Sequence, residues 1–556
     1  MHSNKFPPNP TLKEGFFSRS VYEEAINRYP TVVELVKKKA KENKDKTWLI
    51  FEDGRSFTYE DIDILSDSLA GGFYELGVRE NDKVAIYAYN SPEWIFSYFG
   101  ILKTGAIPVT VNTGFIKDPL IYNLSASNSK FLIIDYRLLK AYKDVEIELN
   151  NIDTVIIIGN GNISYGHLPI KPYVYFDDVM AKQSSTKLEI MKYAKDPCAM
   201  ILTSGTTGPS KVVVDANAQF ISTALFMADA GGVTEDSTVY VYLPLFHIMA
   251  LDLATISSML ANARMILVEK FTASSFWHDI KKYDVTHFHA VGPILEMLFK
   301  NPPSPLEKDH GQLVAIAYCS KEVWSLAKER FNISITGGYG STEVGIPVSS
   351  PYNLVISGHN PPGSCGRVGP HVEVKVMDDN GRILPSGQIG EIVVRPGMPW
   401  TIFLEYYEMP KQTVEAFKGL WFHTGDAGYF DEQGYLYFVD RVKDAIRRKG
   451  ENISSYEVEQ VLLKNPDVVE AAVVPAPSEV GEDEVMAVIA TKPGEEVSLE
   501  NIFNFCLENM PSFWVPRYIR IVKGLPRTPT GRIEKFKLRN EGVTEDTYDM
   551  KNYIRK

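Results

Sequence analysis

Cysteine is scarce: the 556 residues hold four, Cys198, Cys319, Cys365 and Cys506, with no C-x-x-C pair and no metal-ligand spacing. A disulfide-stapled scaffold and a cysteine-built zinc site are thereby excluded, and reduced thiols packed as small apolar groups are expected. Cys506 illustrates the point, because Leu499, Ile502, Phe503, Cys506, Leu507 and Met510 fall on one helical face. No uninterrupted apolar run reaches the roughly 18 residues of a membrane span. The opening MHSNKFPPNPTLKEG holds no apolar stretch of the secretory kind. Positive charge is not in excess either. Lys plus Arg number 58 against 70 Asp plus Glu, a formal charge of −12, which argues against general nucleic-acid binding. No fixed-period repeat or low-complexity tract is present. These absences predict a cytoplasmic protein with no integral membrane span; they leave its oligomeric state open.

What is present is ordinary globular material. Hydrophobic residues make up 44% and charged residues 23%, too apolar a mixture for disorder. At roughly 100–200 residues per domain, the length implies about three to five domain-sized units. Short β-branched runs alternate with amphipathic stretches through most of the chain: KVAIYAY (83–89), AIPVTV (106–111), KFLIIDY (130–136), TVIIIG (154–159), TVYVYLPL (238–245) and RMILVE (264–269). A helix is predicted between two of them, from Pro92 to Lys103. Strand, helix, strand in succession is the pattern of an α/β fold with mainly parallel sheets.

The pattern changes after about residue 360. VEVKVMDDNGRILPSG (372–387) predicts a strand, a turn at Asn380-Gly381 and a second short strand, and GYFDEQGYLYFVD (428–440) predicts a hairpin turning near Gly434. A β-rich subdomain over about 360–440 is therefore expected within an N-terminal domain of residues 1–440. Beyond it, SSYEVEQVLLKNP (454–466) predicts a helix capped by Ser454, with Glu457 reaching back and Pro466 as the stop. Further strands and a helix over 499–510 complete a small α+β domain, residues 441–556. Its charge is distinctive: five basic residues and one acid from Arg441 to Lys449, eight and one from Arg517 to Arg539. Such clusters are either a solvated surface or an attractor for a phosphorylated substrate.

One segment points directly to chemistry. Thr203-Ser204-Gly205-Thr206-Thr207-Gly208-Pro209-Ser210-Lys211 follows an apolar strand. Glycines let backbone N–H groups approach an anion, and hydroxyls and a lysine add donors and charge, which together make a phosphate cradle. A Walker loop is excluded, since Ser210 stands where its second glycine belongs and Val212 where its Ser/Thr belongs. His287 and His289 alternate on the apolar stretch THFHAVGP with no carboxylate at ligand spacing. They read as core or as pocket wall, not as a metal site.

The cradle resembles the phosphate loop of the adenylate-forming superfamily, which includes acyl-CoA synthetases, adenylation domains and luciferases. The resemblance continues in order from SFTYEDI (56–62) to about Arg539, nearly the whole chain. Pro244-Leu245-Phe246-His247 is similar to the segment whose His lies beside the carboxylate pocket. Tyr339-Gly340-Ser341-Thr342-Glu343 resembles the segment whose Thr contacts phosphate and whose Glu holds Mg2+. Trp421-Phe422-His423-Thr424-Gly425-Asp426 resembles the one whose Asp binds the ribose hydroxyls. Asp440-Arg441-Val442-Lys443-Asp444, then Gly450-Glu451-Asn452-Ile453, resemble the interdomain hinge and the loop beyond it. The resemblance implies that Arg441 faces the nucleotide and that a mobile C-terminal domain turns near Lys443. It also implies that Gly450, Glu451 and Arg447 serve coenzyme A. Pro526 to Arg532 resembles the terminal catalytic loop.

The implied activity is an ATP-dependent acid–thiol ligase. A carboxylate attacks the α-phosphate of ATP to give an acyl-adenylate and pyrophosphate, and the thiol of CoA then displaces AMP. Charge accumulates in the first step, so cations and pre-aimed donors must supply its stabilisation. Three departures stand out. Val212 replaces the glycine that usually follows the loop lysine, and Ala317-Tyr318-Cys319-Ser320 replaces the usual small-residue adenine lining. In the terminal loop Arg532 holds the place of the family's lysine, with Lys535 three residues on. That arrangement, with MPSFWVPRYI (510–519), is similar to the crotonobetaine/carnitine-CoA ligase subgroup. On a regular strand positions 532 and 535 would face opposite sides, although Pro526, Pro529 and Gly531 permit a bend. Lys535 is favoured as the adenylation cation, with Arg532 as phosphate anchor. A carrier-protein-loading enzyme, and a weakened nucleotide-binding regulator suggested by Arg532 and Val212, remain as alternatives.

Overall fold

Two central strands show how the layers arise. In strand Lys83–Tyr87, Val84 and Ile86 pack into one core while Ala85 and Tyr87 pack into another. In strand Thr238–Val241, Val239 and Val241 enter that first core, while Tyr240 enters a third. Period-two alternation with both faces buried is what a sheet covered by helices requires. The result is two sheets sharing a helical layer, each covered on its outer face. The computed structural model describes residues 15–159, 165–182, 188, 190–203, 210–318, 321–441, 445–448, 451–479, 481–491, 497–527 and 533–552.

The eight-stranded sheet runs in the order 405–406, 211–216, 197–203, 107–110, 83–87, 131–135, 154–158, 173–175. It is parallel except where Lys211–Ala216 meets its two neighbours. The seven-stranded sheet runs 334–336, 314–318, 287–291, 238–241, 264–267, 47–51, 56–58, parallel but for its last pair. Helices Tyr59–Glu75, Pro92–Lys103 and Asn217–Gly231 contribute to the shared layer. Pro92–Lys103 starts as its sequence dictates: the Ser91 side chain accepts from Trp94 N–H at 3.2 Å, and Pro92 fills the first turn, where no N–H is needed.

The antiparallel part lies where the composition changed. Strands Val372–Met377, Gly390–Pro396, Trp421–Phe430 and Leu436–Arg441 form successive antiparallel pairs. The second strand expected after Gly381 is only a bridge at Ile383, and Val372–Met377 pairs instead with Gly390–Pro396. Pro385 and the left-handed Gly387 (φ 81°) end the extended run. The turn itself forms as read, with Gly381 at φ 74° donating to Asp378 O at 2.9 Å.

The small C-terminal unit is α+β. Strands Val468–Pro477, Asp483–Thr491, Tyr518–Val522 and Thr547–Asp549 form one sheet, flanked by helices Ser455–Leu462 and Leu499–Asn509. Cys198, Cys365 and Cys506 are buried, whereas Leu507, placed on the inner face by its spacing, is 47% exposed. Helix Ser455–Leu462 is capped by Ser454 as expected, but it ends before Pro466 and Glu457 does not reach back. Lys535 opens helix Lys535–Glu541 instead of continuing a strand. Among the described residues no helix is long and apolar enough to cross a membrane.

The N-terminal segment is tied down by a titratable group. Asp229 accepts from Phe17 N–H at 2.7 Å and from Tyr22 OH at 3.3 Å, and burial lifts its carboxyl from an ordinary 3.8 to about 7. The folded state therefore binds this proton more tightly than the unfolded chain. Asp229's contribution to stability is fully present below about pH 4 and is lost as pH rises through about 7. In Asp229→Asn, which keeps an acceptor for both donors, the melting temperature is expected to match the parent's at low pH and exceed it at pH 8. Melts across this range check it; a pH-independent difference contradicts it.

Candidate active site

The strand pair Pro197–Thr203 and Lys211–Ala216 brings the two ends of the cradle together, with Thr203 opposite Lys211 and Thr203 Oγ1 donating to Lys211 O at 3.4 Å. Ser204, Gly205, Thr206, Thr207 and Gly208 lie outside the described residues. Val212 is buried in the sheet and its carbonyl accepts from Tyr407 N–H at 2.8 Å, so its side chain serves packing. The lysine stands 4.3 Å from the centre of the Tyr406 ring. Tyr406 in turn donates its hydroxyl to Glu343 Oε1 at 3.0 Å. One aromatic side chain thus links the cradle lysine to the carboxylate expected to face magnesium. Burial, then the Glu343 charge, pushes the Tyr406 hydroxyl well up, so it keeps the proton that it donates to Glu343.

Strand Gly338–Ser341 pairs with Gly345–Ser349 through an irregular register. A Cβ at Gly340 would lie 2.1 Å from Gly345 O, so only glycine fits. Gln219 supports the turn from behind, its amide donating to Thr342 O at 2.9 Å. The Ser341 hydroxyl oxygen is buried with no hydrogen-bond partner among the described residues. Tyr339 OH donates to Asp426 Oδ2 at 2.8 Å, joining the second and third motifs. Asp426 is buried on strand Trp421–Phe430 and opposes Arg441 in register. Tyr339, Gly340, Ser341, Thr342, Glu343, Asp426, Lys211 and the backbone of Arg441 are thus brought together.

His247 follows Pro244-Leu245-Phe246 and precedes a helix, Met249–Ile256, with π spacing, a form often found at functional sites. Its Nε2 lies 3.0 Å from both carboxylate oxygens of Glu451. Glu451 also accepts from Asn112 Nδ2 at 3.3 Å. His287 bonds Gly231 O at 3.0 Å, and His289 lines a small enclosed space with Ala250 and Ala254. Burial holds them at about 4 and about 3, so both are neutral at physiological pH. The described residues hold no cluster of three or more His, Cys, Asp or Glu able to bind a metal.

The C-terminal unit faces the large one through Glu451, and through Glu457, whose Oε1 accepts from Ser210 N–H at 3.0 Å. Further contacts are Lys117 with Asn509 at 2.9 Å, Lys464 with Asp118, and the Phe115 and Trp514 rings at 6.2 Å. In this arrangement Lys535 is away from the cradle. Its Nζ lies 2.6 Å from Glu459 Oε1 and 2.8 Å from Ser455 Oγ. Residues two positions apart on a helix point about 200° apart, so Glu457 and Glu459 face opposite directions and Lys535, paired with Glu459, sits across the helix from Ser210. Arg532, Lys443 and Gly450 lie outside the described residues.

Arg447 pairs with Glu482 at 3.3 Å, on the C-terminal unit itself. Arg448 pairs with Glu484, Arg517 with Glu479 and Asp549, Arg520 with Glu541 and Asp546, and Arg527 with Glu470. Among the described residues, these arginines of the basic clusters are thus paired with acids of their own unit. Tyr406, Gln219 and Asn112 carry no motif that the sequence could have shown, and Glu457 showed only as a helix-capping residue. Their roles come from partners more than sixty residues away.

The fold and these motifs define an enzyme of the nucleotide-activating kind. The AMP-binding enzyme family matches residues 36–407, and the AMP-binding enzyme C-terminal domain matches residues 457–532. The chain belongs to this family, the adenylate-forming superfamily that its motifs resemble. It is 33% identical over 508 residues to the crotonobetaine/carnitine–CoA ligase of Salmonella enteritidis PT4, covering 89% of this chain and 96% of that protein. It is similar in structure to the anthranilate CoA ligase AuaEII in complex with anthranoyl-AMP: 26% identity, TM-score 0.69, 92% of this chain and 97% of that one. A double mutant of o-succinylbenzoate CoA synthetase from Bacillus subtilis shares the fold at TM-score 0.78 and 24% identity, covering 92% and 98%.

Proposed function

We propose that this chain is an AMP-forming acid–CoA ligase: a carboxylic acid and ATP give an acyl-adenylate and pyrophosphate, and CoA then takes the acyl group and releases AMP. The observation that carries this reading is the Lys211–Tyr406–Glu343 array with Tyr339 and Asp426 beside it, in a chain similar over most of its length to CoA ligases. The segment 203–211, ending at Lys211, cradles the phosphates together with Thr342. Asp426 accepts from the ribose hydroxyls, Arg441 faces the nucleotide, and His247 borders the carboxylate pocket. The donor set fits Mg2+, because a hard carboxylate oxygen held by a tyrosine hydroxyl suits a cation that otherwise keeps waters and phosphate oxygens. Glu343 would hold it, and bound there it neutralises phosphate charge.

The two units correspond to domains 1–440 and 441–556, turning near Lys443. This division is supported by the change from strand Leu436–Arg441, in the large antiparallel sheet, to the separate hairpin of Ala445–Arg448 and Glu451–Ser454. The arrangement seen, with Glu451 at His247 and Lys535 turned away, suits thioester formation, and adenylation requires the terminal loop to be brought to the cradle. A cytoplasmic location agrees with this chemistry. A panel of carboxylic acids, betaines among them, scored for AMP formation with and without CoA, tests the reading. Acid-dependent pyrophosphate release, with AMP release raised by CoA, is expected for at least one acid. Release of neither contradicts the enzyme, and transfer only to a carrier protein favours the loading alternative.

A further inference from the structure

Strand Trp421–Phe430 does not keep step with its neighbour Gly390–Pro396. Glu391 faces Ala427 and Val393 faces His423, so the single residue Ile392 opposes Thr424, Gly425 and Asp426. The resulting bulge carries the aspartate expected at the ribose, while on the strand's other edge Asp426 stays in register with Arg441. A bulge re-aims a side chain, and the backbone groups it frees from the ladder need partners elsewhere. Gly425, left-handed at φ 74°, gives its N–H to Glu391 Oε1 at 3.0 Å. Glu391 Oε2 lies 2.7 Å from His423 Nδ1, so one carboxylate bridges two residues of the bulged strand. Thr424 completes the turn: its hydroxyl donates to Ile392 O at 2.7 Å and accepts from Asp426 N–H at 3.1 Å. From the Gly338–Ser341 strand, Tyr339 OH holds Asp426 Oδ2 at 2.8 Å.

We propose that Glu391 is a positioning residue for nucleotide recognition: by clasping His423 and the Gly425 N–H it fixes the bulge that aims Asp426 at the ribose hydroxyls. The proposal rests on the reading of Asp426 as the ribose acceptor and adds the device that sets it. Glu391 acts through Asp426, not by touching the nucleotide. Hydrogen bonds weaken steeply once distance and angle are lost, so a bulge free to relax gives up the ribose contact and leaves the phosphate contacts in place.

Equilibrium binding of AMP and of 2′,3′-dideoxy-AMP to the full-length protein reads that contact, because the two nucleotides differ only in the ribose hydroxyls. The parent is expected to bind AMP at least about thirtyfold more tightly, the scale of hydrogen bonds to a charged group. Glu391→Ala should cut this preference to about threefold or less while changing dideoxy-AMP binding by less than about twofold. Glu391→Gln can still accept from Gly425 N–H and donate to His423, and should keep a preference of at least about tenfold. With Asp426→Ala in place, adding Glu391→Ala should leave the preference unchanged, since the contact it serves is already gone. If the alanine variant does not fold, Glu391→Met fills the same space without an acceptor and should lose the preference in its stead. A full AMP preference in the alanine or methionine variant, or equal weakening of both nucleotides, overturns the proposal. A parent that does not prefer AMP removes Asp426 from the ribose, and the proposal with it. The assay needs no acid, CoA or turnover, so failure of the ligase reading is seen separately, as absent acid-dependent pyrophosphate release.

Discussion

Replacing Glu343 by Gln is expected to lower acid-dependent ATP–pyrophosphate exchange at least about a thousandfold, close to 4 kcal/mol of lost transition-state stabilisation. The structure makes this a clean substitution. Gln keeps a carbonyl oxygen to accept from Tyr406 OH, and the backbone carbonyl of residue 343 still accepts from Phe403 N–H at 2.8 Å. Only the negative charge is lost, and with it the anionic ligand proposed to hold the Mg2+ that would neutralise phosphate. The melting temperature should stay close to the parent's. Near-normal exchange in a well-folded variant would remove Glu343 from the metal role. Tyr406→Phe provides a graded comparison: it withdraws one hydrogen bond from Glu343 while keeping the ring beside Lys211, so a much smaller loss is expected.

Lys535→Ala is expected to cut adenylate formation at least about a hundredfold, roughly 2.7 kcal/mol, and to leave thioester formation from supplied acyl-adenylate nearly unchanged. The second half of that expectation follows from where Lys535 sits when Glu451 is at His247: on the far side of helix Ser455–Leu462, paired with Glu459. The pairing also adds a structural cost that must be separated from the chemistry. Glu459 is buried, and burial raises its carboxyl while Lys535 lowers it. Without the lysine only Val473 N–H, at 2.6 Å, remains among its described contacts. A buried carboxylate that loses its partner destabilises strongly, so Lys535→Ala should melt lower than the parent. Adding Glu459→Gln removes the stranded charge and should restore stability without restoring adenylation. If adenylation returns with stability, the lysine's part was structural. If Arg532→Ala instead shows the adenylation-specific loss and Lys535→Ala is nearly silent, the cation is Arg532, at the family's usual position.

Local order was legible in the residues. Helix Pro92–Lys103 begins at a serine followed by proline, and six strands of the two largely parallel sheets fall on the β-branched runs. These features depend on neighbours three or four positions away, and spacing records such neighbours directly. The ordered motifs around Lys211, His247, Glu343 and Asp426 also marked the family, because phosphate, carboxylate and ribose each demand particular donors and acceptors. What the chain does with its charges was decided elsewhere. Arg447, Arg448, Arg517, Arg520 and Arg527 of the basic clusters paired with acids of their own unit, and Glu457, read as a helix cap, turned to Ser210, 247 positions away. Glu451 found His247 across 204 positions, and Tyr406 came between Lys211 and Glu343 from a stretch without a motif. The partners of Tyr406 are set by packing within the large unit, and those of Glu451 and Glu457 by how two folded units meet. That meeting depends on shapes and buried surfaces assembled from the whole chain, and no short window of sequence contains it.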